Sequence, residues 1–316
     1  MAVELTYRKF PKIYRLEQEE ANSKHEGVAS LLEQNKAGNY YVATEKIDGA
    51  NSCIEVLKRD GKIDFAIYSH RQRLSEDNTL RGFYEYAQEV LIPKLMEFYK
   101  NIDEAHDYLY GEWLVSHRVE YQQKMYNHWY FFSFYDDLFG HEYNFFERTA
   151  FADRVGLRQP NVVSMANYTL TKEDIKTMVG RSMITKEPDH GEGIVIECDG
   201  VRAKVVSDKF KETRKQKKPQ PSQTESEKFI DETITEARIT KMIEKFKDEN
   251  LLPDVIDFEH FGDIARPLAN ALWNDVIEEE GSNAPELFDV KKARKRLNKI
   301  ISKYVRELIE NEMMSV

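Results

Sequence analysis

The sequence predicts an α+β protein, with a mixed domain rich in antiparallel sheet followed by a small all-helical domain. Two observations frame this. Apolar residues alternate with period two in several segments between residues 39 and 207, whereas every segment after residue 224 reads at helical spacing. Between the two lies "DKFKETRKQKKPQPSQTESEK", basic at first and then rich in Pro, Gln and Ser, with the marks of a linker. The expected division is therefore 1–222 and 223–316.

The elements follow in order. "NYYVATEKI", "ANSCIEVLK" and "KIDFAIYSH" read as strands. The first two are joined by a tight turn at Asp48-Gly49, and Asp60-Gly61 marks a hairpin between the second and third. Leu80, Phe83, Tyr84, Ala87, Val90 and Leu91 then recur at helical spacing, with Pro93 placed to bend or restart that helix. Strand character returns in "DYLYGEWLV", "WYFFSFYDD", "GEGIVIECDG" and "VRAKVVS". Helices are expected at 225–248, 262–280 and 286–313. In the last, Leu287, Val290, Leu297, Ile300, Ile301, Tyr304, Val305 and Leu308 mark one apolar face.

Composition bounds the function. The chain has 316 residues, 41% hydrophobic and 32% charged, enough for a substantial core. A net charge of -10 argues against coating nucleic acid by bulk charge but leaves room for a local basic groove. No apolar run is long enough to span a bilayer, and the first twenty residues lack the apolar core of a signal peptide. Cys53 and Cys198 lack metal-ligand spacing. The expectation is a cytoplasmic monomer in a reducing compartment, with no membrane partner.

Function turns on "EKIDGAN", Glu45–Asn51. A lysine held at a strand end can act as a nucleophile once its amine is deprotonated, which desolvation or cationic neighbours favour. Lys-x-Asp-Gly is the nucleophile pattern of covalent nucleotidyltransferases, yet about one chain of this length in fifteen carries it by chance. The rest of the chain supplies what such chemistry needs: a ribose contact, a flat surface for a base, carboxylates and phosphate-binding cations. Arg71 follows a strand in "YSHRQRL", Glu112 lies in "YGEWLV", Phe134 in "YFFSFYDD", Glu192 in "EGIVIE" and Lys204 in "VRAKVVSDKF". Each has an ordinary structural reading alone, but their order behind Lys46 does not arise easily by accident.

"EKIDGAN" resembles the RNA ligase 2 family, where the phage T4 stretch reads Glu-Lys-Ile-His-Gly-Thr-Asn. "FPKIYRLE" looks like that family's opening segment, "KVVSDKFKETRKQKK" like the end of its catalytic domain, and "FGDIARPLANALWNDVIEEE" with "VKKARKRLNKIISKYVRELIE" like its C-terminal domain. The resemblance implies an antiparallel-sheet nucleotidyltransferase (ATP-grasp-like ligase) domain and a helical RNA-binding domain. It implies joining of 3′-OH and 5′-phosphate RNA ends, at nicks in duplex RNA, through lysyl-AMP and an RNA-adenylate, with ATP and Mg²⁺ (Mn²⁺ as substitute).

By the same resemblance Lys46 is the nucleophile. Asp48, Glu112 and Glu192 hold Mg²⁺ through water, and Arg71 and Glu112 contact the ribose or reacting phosphates. Glu45 and Ile47 flank the nucleotide, with Glu45 near the adenine edge. Asn51 orients the reacting ends, Phe134 stacks on the base, and Lys204 neutralises the α-phosphate. This chain departs from the family at three places. Asp48 stands where the phage enzyme has His. The family's last strand carries Lys-x-Lys, and here either Arg202 with Lys204 or Lys204 with Val206 fills that register; the first makes better electrostatic sense, because side chains two apart share a face. Phe134 and Tyr135 both precede an Asp, and Phe134 is favoured for the base.

DNA ligases and capping-type guanylyltransferases use the same lysine but follow the core with a β-barrel, for which residues 225–316 show no period-2 alternation. A non-catalytic RNA-binding module, suggested by the basic segment 209–218, has no need of Lys46, Glu112 and Glu192 together. A P-loop NTPase is disfavoured because no G-x-x-x-x-G-K-[ST] is present.

Overall fold

The computed structural model describes residues 5–27, 29–34, 39–70, 72–210 and 224–315. The chain divides into two compact units, Met1–Lys209 and Phe210–Val316. Most of the basic segment expected as a linker lies outside the described residues.

The strands of the first unit are β1 (Tyr14–Arg15), β2 (Tyr41–Lys46), β3 (Ala50–Arg59), β4 (Lys62–Ser69), β5 (Ala105–Trp113), β6 (Trp129–Asp136), β7 (His141–Glu142), β8 (Val162–Ala166), β9 (Gly193–Cys198) and β10 (Val201–Val206). They form two five-stranded sheets, β1-β10-β9-β2-β8 and β4-β3-β5-β6-β7. All pairings are antiparallel except β1 with β10. The β3–β4 hairpin turns at Asp60 and Gly61, with φ of 51° and 75°, the left-handed pair that matches strand twist. β2 and β3 do not pair with each other. The turn at Ile47–Gly49 carries the chain from one sheet to the other, because β2 pairs with β8 and β9 while β3 pairs with β4 and β5.

The helices of this unit are α1 (Leu16–Glu26), α2 (Leu31–Gln34), α3 (Phe83–Tyr86), α4 (Ile92–Tyr99), α5 (Phe145–Val155) and α6 (Lys172–Met178). A five-residue π-helical stretch, Ala87–Leu91, joins α3 to α4, and Pro93 falls in the first turn of α4. There its missing N–H is least costly, so the helix continues with a reset register instead of breaking. Phe83, Leu91, Leu95, Tyr99, Phe151 and Val155 pack on one face of the second sheet, against Ile54, Val56, Leu109, Phe131 and Phe134. On the first sheet, Leu16, Leu31, Ile175 and Met178 pack on Tyr41, Ala43, Ile194, Ile196 and Ala203. The remaining face of the first sheet carries Lys46, Thr44, Val195, Lys204, Glu197 and Arg202 in register.

The second unit contains α7 (Glu225–Thr233), α8 (Glu236–Asp248), α9 (Phe261–Glu280) and α10 (Val290–Ser315). The segment expected as one helix at 225–248 is two. Thr235 accepts from the Arg238 N–H and starts a new helix there. Leu297, Ile301, Val305 and Ile309 bury one stripe of α10. Leu287, expected on that stripe, precedes the helix and is 92% exposed. No described helix is long and apolar enough to cross a membrane.

Candidate active site

The site forms where the chain crosses between sheets. Lys46, the last residue of β2, lies in one cross-strand row with Gly193 and Val206. A side chain at Gly193 would place Cβ 2.1 Å from the Val205 carbonyl oxygen, so only glycine permits this row to close. A Cβ at Gly49 would lie 2.5 Å from the Trp113 carbonyl oxygen, and the Gly49 N–H donates to Glu112 Oε1 at 3.1 Å. The two glycines let backbone come close on both sides of Lys46.

Three carboxylates surround that lysine. Lys46 Nζ donates to Glu192 Oε2 at 2.5 Å, and Glu192 is 3% exposed. Burial pushes Glu112 up to about 7; Lys46 opposes that rise and Glu192 adds to it. Asp48 lies at about 2. Its burial would raise it, but His117, Lys46 and the Val119 N–H outweigh that. Asp48 Oδ2 accepts from the Arg118 and Val119 N–H groups, each at 2.9 Å, and its own N–H donates to the Tyr121 hydroxyl at 2.8 Å. His117 Nδ1 stands 3.7 Å from Asp48 Oδ1. The loop after β5 thus clamps the turn after β2.

The other expected residues divide. Asn51 lies directly across from Glu112 on the same sheet face. Lys204 is one row along from Lys46 on the same face. Ile47 is buried in the crossing turn. Alternation along β2 turns Glu45 to the opposite face from Lys46, where its oxygens accept from Ser182 Oγ at 2.5 Å and Asn161 Nδ2 at 3.1 Å. Burial raises the Glu45 carboxyl, and these two hydrogen bonds oppose the rise.

Two expectations are corrected. Arg202 sits two rows beyond Lys46, paired with Glu197 at 2.9 Å and Glu142 at 2.5 Å, so the register next to Lys46 is that of Lys204 and Val206. Phe134, 3% exposed, packs in the helix-covered core against Tyr143 and Phe151, away from the Glu112 face. Tyr135 lies under the Arg8 guanidinium at 3.6 Å. Arg71 lies outside the described residues.

A family model described as RNA ligase matches residues 39–211, more than half of the chain. The chain belongs to the RNA ligase family. Among solved structures, an apo Naegleria gruberi RNA ligase R4a is similar at 18% identity and TM-score 0.47, covering 64% of this chain and 56% of that one. A Naegleria gruberi RNA ligase with ATP and Mn is similar at 17% and TM-score 0.45, covering 63% and 56%. One with pyrophosphate is similar at 18% and TM-score 0.45, covering 66% and 61%. The match thus spans little more than half of those ligases. No curated protein matches.

In this RNA ligase family member the sequence reading missed His117 and Tyr121 because they are not on a strand and carry no fixed offset from Lys46. It missed the aromatic residues on the Glu112 face because a bulge between Tyr110 and Gly111 shifts the pairing of β6. That shift leaves Tyr130 opposite Glu112 and Phe132 against Phe10 and Tyr110. No group of three or more His, Cys, Asp or Glu among the described residues converges to hold an ion. Carboxylate oxygens such as those around Lys46 are the donor type that a hard divalent cation takes.

Proposed function

We propose that this protein is an ATP-dependent RNA ligase of the RNA ligase 2 type, which joins 3′-OH and 5′-phosphate ends at nicks in duplex RNA. The observation that carries this is Lys46 Nζ held 2.5 Å from Glu192 at the crossing between sheets, beside Glu112 and Asp48. Attack by Lys46 on the α-phosphorus of ATP forms a phosphoramidate as pyrophosphate leaves. Glu192 Oε2 is placed to take the ammonium proton first. AMP then passes to the RNA 5′-phosphate, and the 3′-OH displaces it to seal the strand. Each step is a displacement at phosphorus, so the protein contributes mainly position and charge.

Lys204, on the face of Lys46, is assigned to the α-phosphate, and Asn51, across from Glu112, to the reacting ends. Phe132, half-buried on the Glu112 face, is the aromatic side chain assigned to the base. Glu112 and Glu192 would hold Mg²⁺ through water, with Asp48 contributing Oδ1 alone; the ion would supply charge neutralisation at the phosphates. The helical unit is assigned to RNA backbone contact through Lys291, Lys292, Lys295, Lys299 and Lys303, exposed along α10. Arg294, stacked on Trp273 at 4.5 Å, is partly withdrawn from that face.

Incubation with ATP and Mg²⁺ followed by intact-mass measurement is expected to add one AMP to the chain, and Lys46→Ala to add none. An adduct that persists in that variant overturns the assignment. GTP in place of ATP tests the capping alternative, and nicks with DNA at the 3′-OH side test DNA ligation.

A further inference from the structure

Both flanks of Lys46 are tied to segments far along the chain. After it, the Asp48 N–H donates to the Tyr121 hydroxyl at 2.8 Å. Before it, the Glu45 N–H donates to the Asn161 carbonyl at 2.8 Å, and Glu45 Oε1 accepts from Ser182 Oγ at 2.5 Å. Tyr121 and Ser182 are both buried. The reaction steps proposed above use neither.

The Ser182 hydroxyl is fully committed. A hydroxyl has one proton and two lone pairs. The Ile184 and Thr185 N–H groups donate to this oxygen at 3.2 and 3.1 Å, so its proton goes to Glu45. The hydroxyl thereby joins a turn of its own segment to the residue next to the nucleophile. That segment closes at its base through the Gly191 N–H on the Gly180 carbonyl at 2.9 Å. The next residue is Glu192, the partner of Lys46.

The segments of Tyr121 and Ser182 are also joined to each other. Tyr121 and Thr185 form an antiparallel bridge. The Gln122 N–H donates to the Ile184 carbonyl at 2.9 Å, and the Lys186 N–H donates to the Glu120 carbonyl at 2.8 Å. Gln122 Nε2 adds bonds to the Met183 and Thr185 carbonyls at 3.0 and 3.3 Å. A short two-stranded strap, residues 120–122 against 184–186, thus spans from the residue before Lys46 to the turn after it. Its cohesion comes from backbone and amide hydrogen bonds, so it holds a distance without adding charge to the site.

We infer that this strap positions the nucleophile, with Tyr121 and Ser182 as positioning residues that act on Lys46 through Asp48 and Glu45. The inference rests on the ligase reading and adds two residues to it. A reacting group misplaced by about 1 Å can lose on the order of a hundredfold in rate. One lost tie out of several is expected to cost less, about tenfold.

The test uses the full chain with Tyr121→Phe and Ser182→Ala, each of which removes a hydroxyl and leaves the backbone pairing of the strap in place. Single-turnover lysyl-AMP formation with ATP and Mg²⁺ gives a maximal rate and a half-saturating ATP concentration. Sealing of a nicked RNA duplex whose 5′ end already carries AMP reports the last step, which does not use the Lys46 amine. Each variant is expected to form lysyl-AMP about tenfold more slowly per folded molecule, with half-saturating ATP within about twofold of wild type. Sealing of the adenylated nick should stay near wild type. Tyr99→Phe is the stability control, because it removes a buried tyrosine hydroxyl bond, to Asp107 Oδ2 at 2.6 Å, in the helix-covered core. It should lower the urea midpoint and leave both rates per folded molecule unchanged. Should Tyr121→Phe not fold, Ser182→Ala carries the same expectations.

Wild-type rates of adenylation in the folded variants overturn the inference. So does an equal loss of adenylation and of sealing, which would make the strap general support for the fold. A raised ATP requirement with the maximal rate retained also overturns it, and would assign the two hydroxyls to nucleotide binding. Wild-type protein that forms no lysyl-AMP removes the ligase reading itself, whereas active wild type with unaltered variants removes only the strap's role.

Discussion

Two charged clusters stand along one ladder of strands, at opposite ends of the same sheet face. At one end Arg202 and Arg148 grip Glu197 through its two oxygens, and Arg202 reaches Ser133 and Glu142 of the other sheet. The Phe145 N–H adds a third donor to Glu197. Burial alone would raise Glu197, but the two guanidinium groups bring it below its ordinary value. At the other end Lys46 faces Glu192, Glu112 and Asp48, and Glu112 rises to about 7. The first cluster is balanced and closed, with fork geometry suited to arginine. The second holds more carboxylates than cations and uses a lysine, whose amine can lose its proton. On the reading proposed above, the difference separates a clasp between sheets from a site that reacts, with buried charge left unbalanced where the chemistry is assigned.

The sharpest way to break this contrast is to remove the cation at each end. Lys46→Ala should abolish AMP attachment entirely, while Arg202→Ala should leave it intact in molecules that fold. Loss of the adduct in folded Arg202→Ala would erase the distinction.

Arg148→Ala should do the converse. It removes one of the two cations that hold the buried Glu197 carboxylate, leaving Arg202 and the Phe145 N–H, and the expected loss is about 3–5 kcal/mol in a urea titration. Adenylation per folded molecule should not change. A stability loss under about 1 kcal/mol would show that the clasp is not the structural end.

Within the reactive end, Glu192→Gln and Lys204→Ala should each slow adenylation on the order of a hundredfold, or ~3 kcal/mol, with the unfolding midpoint nearly retained. Stopped assays with ATP and Mg²⁺ measure this, and near-normal rates would remove the roles given to these two residues.

The smallest effect is a pH signature. Glu112 titrates near 7 in the fold against an ordinary 4.5. Below 4.5 it is protonated in both states and costs nothing. Between 4.5 and 7 the unfolded chain ionises first and stability falls; above 7 the penalty is constant. Glu112→Gln keeps an acceptor for Gly49 and removes the penalty. The variant should match wild type at pH 4 and exceed it at pH 8 by about 2 kcal/mol, after allowance for partial exposure. An equal gain at both pH values would mean that packing, not ionisation, is responsible.

Much of this was legible in the chain before folding. Alternation gave β2 to β6, β9 and β10, and Asp60-Gly61 gave the hairpin, because both are local consequences of side-chain direction and backbone φ. The spacing of "EKIDGAN" and the downstream Glu112, Glu192 and Lys204 pointed to residues that the fold brings around one lysine or sets on its face. What the sequence could not decide depended on partners far along the chain. Arg202 shares a face with Lys204, as alternation requires, yet Glu197 across the strand pair and Glu142 from the other sheet capture it. Phe134 alternates correctly with Tyr135, but a bulge and the helix α5 assign it to the core. His117 and Tyr121 carry no local pattern, and only the crossing of the chain between two sheets brings their loop onto Asp48. Local periodicity fixes which way a side chain points; what it meets there is set by strand register and sheet packing, which only the tertiary structure decides.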